Sequence, residues 1–302
     1  MKAEMKGNAT KGPLVWLNMD QKEIDDAYDQ ACWAPNREAI AQRRRLASER
    51  TIDRLGPPER VAYGPTEIEK LDIYKTNRPN APIAFFIHGG AWKNGASKDS
   101  AYMAEMYLAA GANFVIPDFV AVQDAGGSLM TMAQQVRRAV AWVYQNAASF
   151  GGDPKRLYLM GHSSGAHLGG TIVITDWQKD FGLPSDILKG ALLISGMYDL
   201  KPVRLSKRSK YVNFDDTTEQ ALSAQRHIDM IDMPLIVAHG TLESPEFQRQ
   251  SREFAAAVKA AGKPVEFFIG EGFNHFEMQE TMGNPFGLGG RAALRMMGLK
   301  IG

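Results

Sequence analysis

Apolar positions along this chain change their spacing near residue 67, and the change separates two textures. Before it, Ile24, Ala27, Tyr28, Ala31 and Cys32 fall at i, i+3, i+4, i+7 and i+8, one face of a helix. Arg43, Arg44 and Arg45, with Arg50 and Arg54, continue a more polar helical stretch that Gly56-Pro57-Pro58 breaks. The first sixty residues carry no strand signal, and the arginine run is read as a solvated helix face.

Beyond that point short apolar runs alternate with longer amphipathic ones. Residues 71–74, 83–87, 114–117, 157–160, 191–195, 235–238 and 265–269 read as strands, most of them near-continuously apolar. That is the character of strands covered on both faces of a parallel sheet. Residues 101–110, 130–148, 164–175 and 245–261 read as helices; in the last, Phe247, Ser251, Phe254, Val258 and Ala261 keep a helical period. The alternation predicts an α/β fold, a doubly wound and mostly parallel sheet with helices on both faces. Residues 200–232 are longer than a crossover helix needs, and five of the ten from Lys201 to Lys210 are basic. They are expected to form an insertion over the C-terminal edge of the sheet, where such folds hold ligands. One domain over 1–302 is therefore expected, with 1–60 as a helical extension that either caps the site or makes a homodimer contact.

Composition narrows the classes. In 302 residues, 44% hydrophobic, there is enough apolar surface for a large core. Thirty-five basic against 34 acidic residues leave a net charge of +1, so no global field draws nucleic acid or an anionic membrane. A single cysteine, Cys32, cannot form an internal disulfide. Lys2, Lys6 and Lys11 precede only a short apolar stretch at 13–17, less than the roughly seven residues a signal sequence needs. No apolar run approaches the ~20 residues that span a bilayer. These features point to a cytoplasmic protein acting on a small molecule.

The chemistry is carried by two glycine motifs. Gly161-His162-Ser163-Ser164-Gly165 follows the strand 157–160 and opens a helical run, the strand–turn–helix that lifts a serine Oγ above a sheet. His88-Gly89-Gly90-Ala91-Trp92 follows the strand 83–87; its paired glycines leave backbone N–H groups free to approach a substrate oxygen. With the N–H of Ser164, Gly89 and Gly90 form a candidate oxyanion hole. Of six histidines, His275 lies after the final strand, where a base is supplied, while His227 stays open within the insertion. His162 is too close in sequence to double back onto Ser163, His167 lies on the following helix, and His88 and His239 end strands. The acid is expected between serine and histidine in chain order. Glu243, after the strand 235–238, gives separations of 80 and 32 residues, with Asp199 as the competitor.

Three segments resemble a known family: His88–Trp92, Gly161–Gly165 with Ala166-His167-Leu168, and Ser195-Gly196-Met197-Tyr198-Asp199-Leu200. They are similar to α/β-hydrolases of the hormone-sensitive-lipase-like group, and within it most similar to bacterial arylformamidases (kynurenine formamidases). Residues 243–251, beginning Glu243-Ser244-Pro245-Glu246-Phe247, strengthen the narrower likeness. The resemblance covers about 60–280. The surplus N-terminal length is assigned to a small helical cap, and the resemblance implies Ser163 as nucleophile, His275 as base, Glu243 as acid, and Gly89, Gly90 and Ser164 as oxyanion donors. The chain departs from the pattern at Ala91, where a tyrosine is common, and at Ser164, where alanine is usual.

The chemistry expected is two-step acyl transfer on a carboxylic ester or an aryl amide of the formamide type, through an acyl-enzyme. It needs no metal or organic cofactor, and neither HExxH nor a Walker or dinucleotide fingerprint occurs. Trp92, Met197, Tyr198 and Phe276 flank the motifs as pocket walls or as plain core. The basic stretch Lys201 to Lys210 either holds a substrate carboxylate or is solvated. The alternative from another class is a non-catalytic small-molecule binder on a hydrolase scaffold.

Overall fold

A computed structural model of the chain describes residues 11–300; Lys2, Lys6 and the beginning of the predicted N-terminal extension lie outside the described residues. Eight strands form the central sheet: β1 (Glu59–Ala62), β2 (Lys70–Tyr74), β3 (Ala81–Ile87), β4 (Asn113–Pro117), β5 (Gly152–His162), β6 (Leu188–Ile194), β7 (Leu235–Gly240) and β8 (Val265–Gly270). Across the sheet they run β1-β2-β4-β3-β5-β6-β7-β8. From β4 to β8 all neighbours are parallel, while β2 is antiparallel to both β1 and β4.

Eleven α-helices accompany the sheet among the described residues. The N-terminal segment holds α1 (Gln21–Ala27) and α2 (Arg37–Leu55). The crossovers carry α3 (Ala104–Ala109), α4 (Leu129–Asn146), α5 (Ser164–Val173) and α6 (Trp177–Phe181). The predicted insertion carries α7 (Leu200–Leu205) and α8 (Asp216–Leu222), and α9 (Pro245–Ala260), α10 (His275–Glu280) and α11 (Leu288–Met296) complete the chain.

Strand alternation sorts the core into two layers. In β3, Ile83, Phe85 and Ile87 face the side covered by α4, α5 and α9, where Val136, Leu168 and Phe254 are wholly buried. Ala84 and Phe86 face the opposite side, against Met106 and Tyr107 of α3 and Ala293 of α11. Both faces of the inner strands are thus dry, which accounts for their continuous apolar sequence.

The run 71–74 is an antiparallel strand within the expected mostly parallel sheet, and all four of its residues are buried. Two expectations need correction. Strand β1 was invisible because Glu-Arg-Val-Ala at a sheet edge needs no apolar run. The first sixty residues also contain a short hairpin, Leu14–Trp16 with Met19–Asp20, too brief to show a period. No helix of the described residues is long and apolar enough to cross a membrane.

Candidate functional site

Ser163 stands between the last residue of β5 and the first of α5, with φ 59° and ψ −127°. A non-glycine residue held at positive φ is strained, and the turn is fixed from both sides. Ser163 N–H donates to the Ile194 carbonyl of β6 (3.0 Å), and the Ser163 carbonyl accepts from His167 N–H (3.0 Å). The motif's outer residues must be glycine. A Cβ on Gly165 would collide with the Ile87 and His88 carbonyls, and one on Gly161 would lie 2.6 Å from the Gly165 carbonyl oxygen.

The structure brings Ser163, His275 and Glu243 into one chain. Ser163 Oγ–H donates to His275 Nε2 (2.8 Å), and His275 Nδ1–H donates to Glu243 Oε2 (2.7 Å). His275 opens α10, whose N-cap Asn274 accepts from Phe276 and Glu277 N–H, so the ring is set by a capped helix start. Glu243 lies in the tight turn after β7. Its Oε1 accepts from Ser195 Oγ–H (2.6 Å) and from Gly240 N–H (2.7 Å). All three site residues are more than nine-tenths buried, so these bonds face little competition from water. A hydroxyl, a histidine and a carboxylate in that order form a device for removing the hydroxyl proton as the oxygen attacks.

Asp199 is elsewhere. Its Oδ1 caps α7 through Lys201 N–H and accepts from Arg226, so it is a structural carboxylate and not a partner of His275. His227, on a polar stretch of the insertion, bonds the Gln220 carbonyl at the surface.

Two positioning residues escaped sequence reasoning. Ser195, at φ 56° just past β6, was read as the end of a strand and the start of a family-like segment, with no role, yet it donates to Glu243. His162 Nε2–H donates to the backbone carbonyl of His275 (2.9 Å) and its ring lies 4.6 Å from the His275 ring. Burial holds the His162 pKa well below the usual histidine value, so a neutral ring neighbours His275. The signal for His162 was only its position in the elbow.

Beside the elbow, the loop 88–92 crosses the end of β3. Gly89 lies so close that an added Cβ would sit 3.1 Å from Ser163 Cβ. Gly90, at φ +125°, leaves no room for a Cβ beside the Asn94 carbonyl. Among the described residues neither Gly89 nor Gly90 N–H has an acceptor, and Ser164 N–H belongs to the unpaired first turn of α5. Gly89 and Gly90 line the cavity together with Ser163. The Ser164 hydroxyl accepts from Trp92 N–H (3.3 Å), tying the two glycine motifs together where alanine has nothing to offer.

A cavity of about 990 Å³ opens in front of Ser163 and His275. Phe276 lines it, while Trp92, Met197 and Tyr198 do not; of the two readings, pocket wall or plain core, these three take the second. Trp92 is 2% exposed, with Nε1–H on His167 Nδ1 (3.2 Å), and Tyr198 stacks on Phe254 at 4.1 Å. The outer wall combines Tyr28 and Arg44 of the N-terminal segment with Lys207, Arg208 and Tyr211 of the predicted insertion. The N-terminal segment also grips the residues beside the acid and the base. Gln30 Nε2–H donates to Ser244 Oγ (2.8 Å), and Asn36 Oδ1 accepts from Asn274 Nδ2 (2.8 Å). Among the described residues no group of three or more His, Cys, Asp or Glu is arranged to hold a metal ion.

Comparison with known proteins places this geometry. The BD-FAE family matches residues 71–189. The chain is 31% identical to a kynurenine formamidase of Danio rerio over 94% of its own length and 98% of that protein. It is 30% identical to a kynurenine formamidase of Salmo salar, over 88% of this chain and 93% of the relative. A solved structure described as a putative thioesterase from Silicibacter sp. shares the fold, with a TM-score of 0.77, 21% identity and coverage of 87% and 96%. The chain thus belongs to the α/β-hydrolase esterase group, in the family of the kynurenine formamidases, and is a hydrolase.

Proposed function

We propose that the protein is a serine hydrolase cleaving carboxylic esters and aryl formamides through Ser163, His275 and Glu243. The observation that carries this reading is the unbroken hydrogen-bond chain from Ser163 Oγ through His275 to Glu243. In the first step Ser163 Oγ attacks the carbonyl carbon while His275 Nε2 takes its proton. The oxyanion settles among the N–H groups of Gly89, Gly90 and Ser164. His275 then protonates the departing alcohol or amine, leaving an acyl group on Ser163. Water, deprotonated by the same Nε2, attacks the acyl carbonyl and releases the acid. Glu243 holds the ring in the tautomer that keeps Nε2 free and stabilises the imidazolium that forms.

The formamide preference rests on the relatives named kynurenine formamidase. A cytoplasmic location, inferred from the single cysteine, belongs to the same proposal. A fluorophosphonate probe is expected to label the wild type and not Ser163→Ala, whose turnover drops by at least about 10⁴-fold. Equal labelling of both would overturn the mechanism. Side-by-side rates on N-formylkynurenine and p-nitrophenyl acetate test the preference; a kcat/KM favouring the ester by orders of magnitude would remove it.

A further inference from the structure

Among the described residues Arg208 is a buried cation with an unfinished set of contacts. It is 5% exposed and lines the cavity shared with Ser163. Its Nε–H donates to the Tyr28 carbonyl (3.1 Å), and its guanidinium carbon lies 5.1 Å from the centroid of the Trp92 ring. Both contacts are neutral, so they orient the group without cancelling its charge. Nη1 is buried with no acceptor, and no carboxylate lies within ion-pair distance among the described residues. Its neighbours differ: Lys207 pairs with Asp29 (2.6 Å) and Arg204 with Asp216 (2.6 Å).

A desolvated guanidinium without a counter-ion is costly, and such sites persist when a ligand supplies the anion. The planar fork suits a carboxylate, which accepts two parallel N–H bonds. Trp92 links Arg208 to the loop beside Ser163. The ring carrying Arg208 belongs to the loop of Gly89 and Gly90, and its backbone N–H bonds Ser164.

We propose that Arg208 is the specificity-determining anchor for a carboxylate on the substrate, so that the enzyme prefers esters or aryl amides bearing an anionic group. The proposal rests on the hydrolase reading of Ser163 and names the substrate class of that same site. Binding forms hydrogen bonds only; the scissile bond and its proton transfers are those already described.

The test compares kcat/KM for 4-acetoxybenzoate and for 3-(4-acetoxyphenyl)propionate, each against its own methyl ester. The acetyl–aryl bond followed is the same within each pair, and in the propionate pair the spacer keeps the leaving group nearly unchanged while the charge differs. The wild type is expected to favour at least one anion over its ester, and Arg208→Gln to lower that ratio by about 100-fold. Arg208→Lys, which keeps the charge but not the fork, is expected to recover part of it. A wild type with no preference for either anion would overturn the proposal, as would anion and ester rates falling together in the variants. So would a ratio lost in Arg44→Gln and retained in Arg208→Gln, because Arg44 Nε is also buried on this cavity without a partner. If none of these esters turns over, fluorophosphonate labelling of Ser163 decides the hydrolase reading separately. Calorimetric binding of 3-(4-hydroxyphenyl)propionate to the wild type and to Arg208→Lys then decides the anchor, and equal affinities would overturn it.

Discussion

The strand-end wall of the cavity and the wall facing it treat their polar groups differently. On the first, Ser163, His275 and Glu243 bond one another, and Glu243 Oε1 is filled by Ser195 and Gly240. On the second, Arg208 Nη1 and Arg44 Nε are buried and unpaired. A closed chain fixes geometry before substrate arrives, which reactions sensitive to fractions of an ångström require. A cation left without a counter-ion is incomplete, and on the proposal above its role is to select among substrates without setting the reaction geometry.

Breaking the closed wall should cost most. Glu243→Gln puts an amide against His275 Nδ1 and disturbs the tautomer, so kcat is expected to fall by about 10³–10⁴-fold. Asp199→Asn, which alters only a helix cap and an Arg226 contact, should leave turnover within about threefold. If the two variants exchanged these effects, the assignment of the acid would be wrong. Ser195→Ala removes one of three bonds to Glu243. It is expected to lower kcat about tenfold with KM unchanged. A loss confined to KM would show that Ser195 acts on substrate instead.

The smallest effect concerns stability. Burial lowers the His167 pKa from about 6.5 to about 3, and moves His88, His162 and His239 in the same direction. Below pH 6.5 the unfolded chain therefore binds protons that the folded chain refuses. Stability is fully present above that value and is lost as pH falls toward 3, by at most about 1.4 kcal/mol per pH unit for each histidine. Urea unfolding at pH 7.5 and 5.5 checks the sign. His167→Asn should reduce the difference, and a variant that steepened it would contradict a neutral, buried His167.

Much of the inner sheet was legible because its strands are dry on both faces and must be apolar throughout. The ends of elements were less so. Strand β5 begins at Gly152, five residues before its apolar run, since a strand entering a sheet needs only backbone partners. In the site, Ser163 and the two glycine motifs were readable because sharp turns admit few residue types. Trp92, Met197 and Tyr198 could be read as wall or as core, because an aromatic beside a motif looks alike whether it faces a cavity or the core. Their neighbours, His167 for Trp92 and Phe254 for Tyr198, lie 75 and 56 positions away along the chain.

The sequence by itself determined the alternation of the inner strands with their helices, the elbow serine, and the placing of Glu243 and His275 after the last two strands. Local chemistry dictates these: apolar periodicity for the elements, glycine for turns that exclude a side chain, and chain order for the catalytic groups. The tertiary structure alone decided between Glu243 and Asp199 as the partner of His275, gave Ser195 and His162 their contacts, and singled out Arg208. Five basic residues between Lys201 and Lys210 look equivalent in sequence. Whether each has a counter-ion is settled by residues such as Asp29, 178 positions from Lys207, and by the burial that makes an unpaired charge costly.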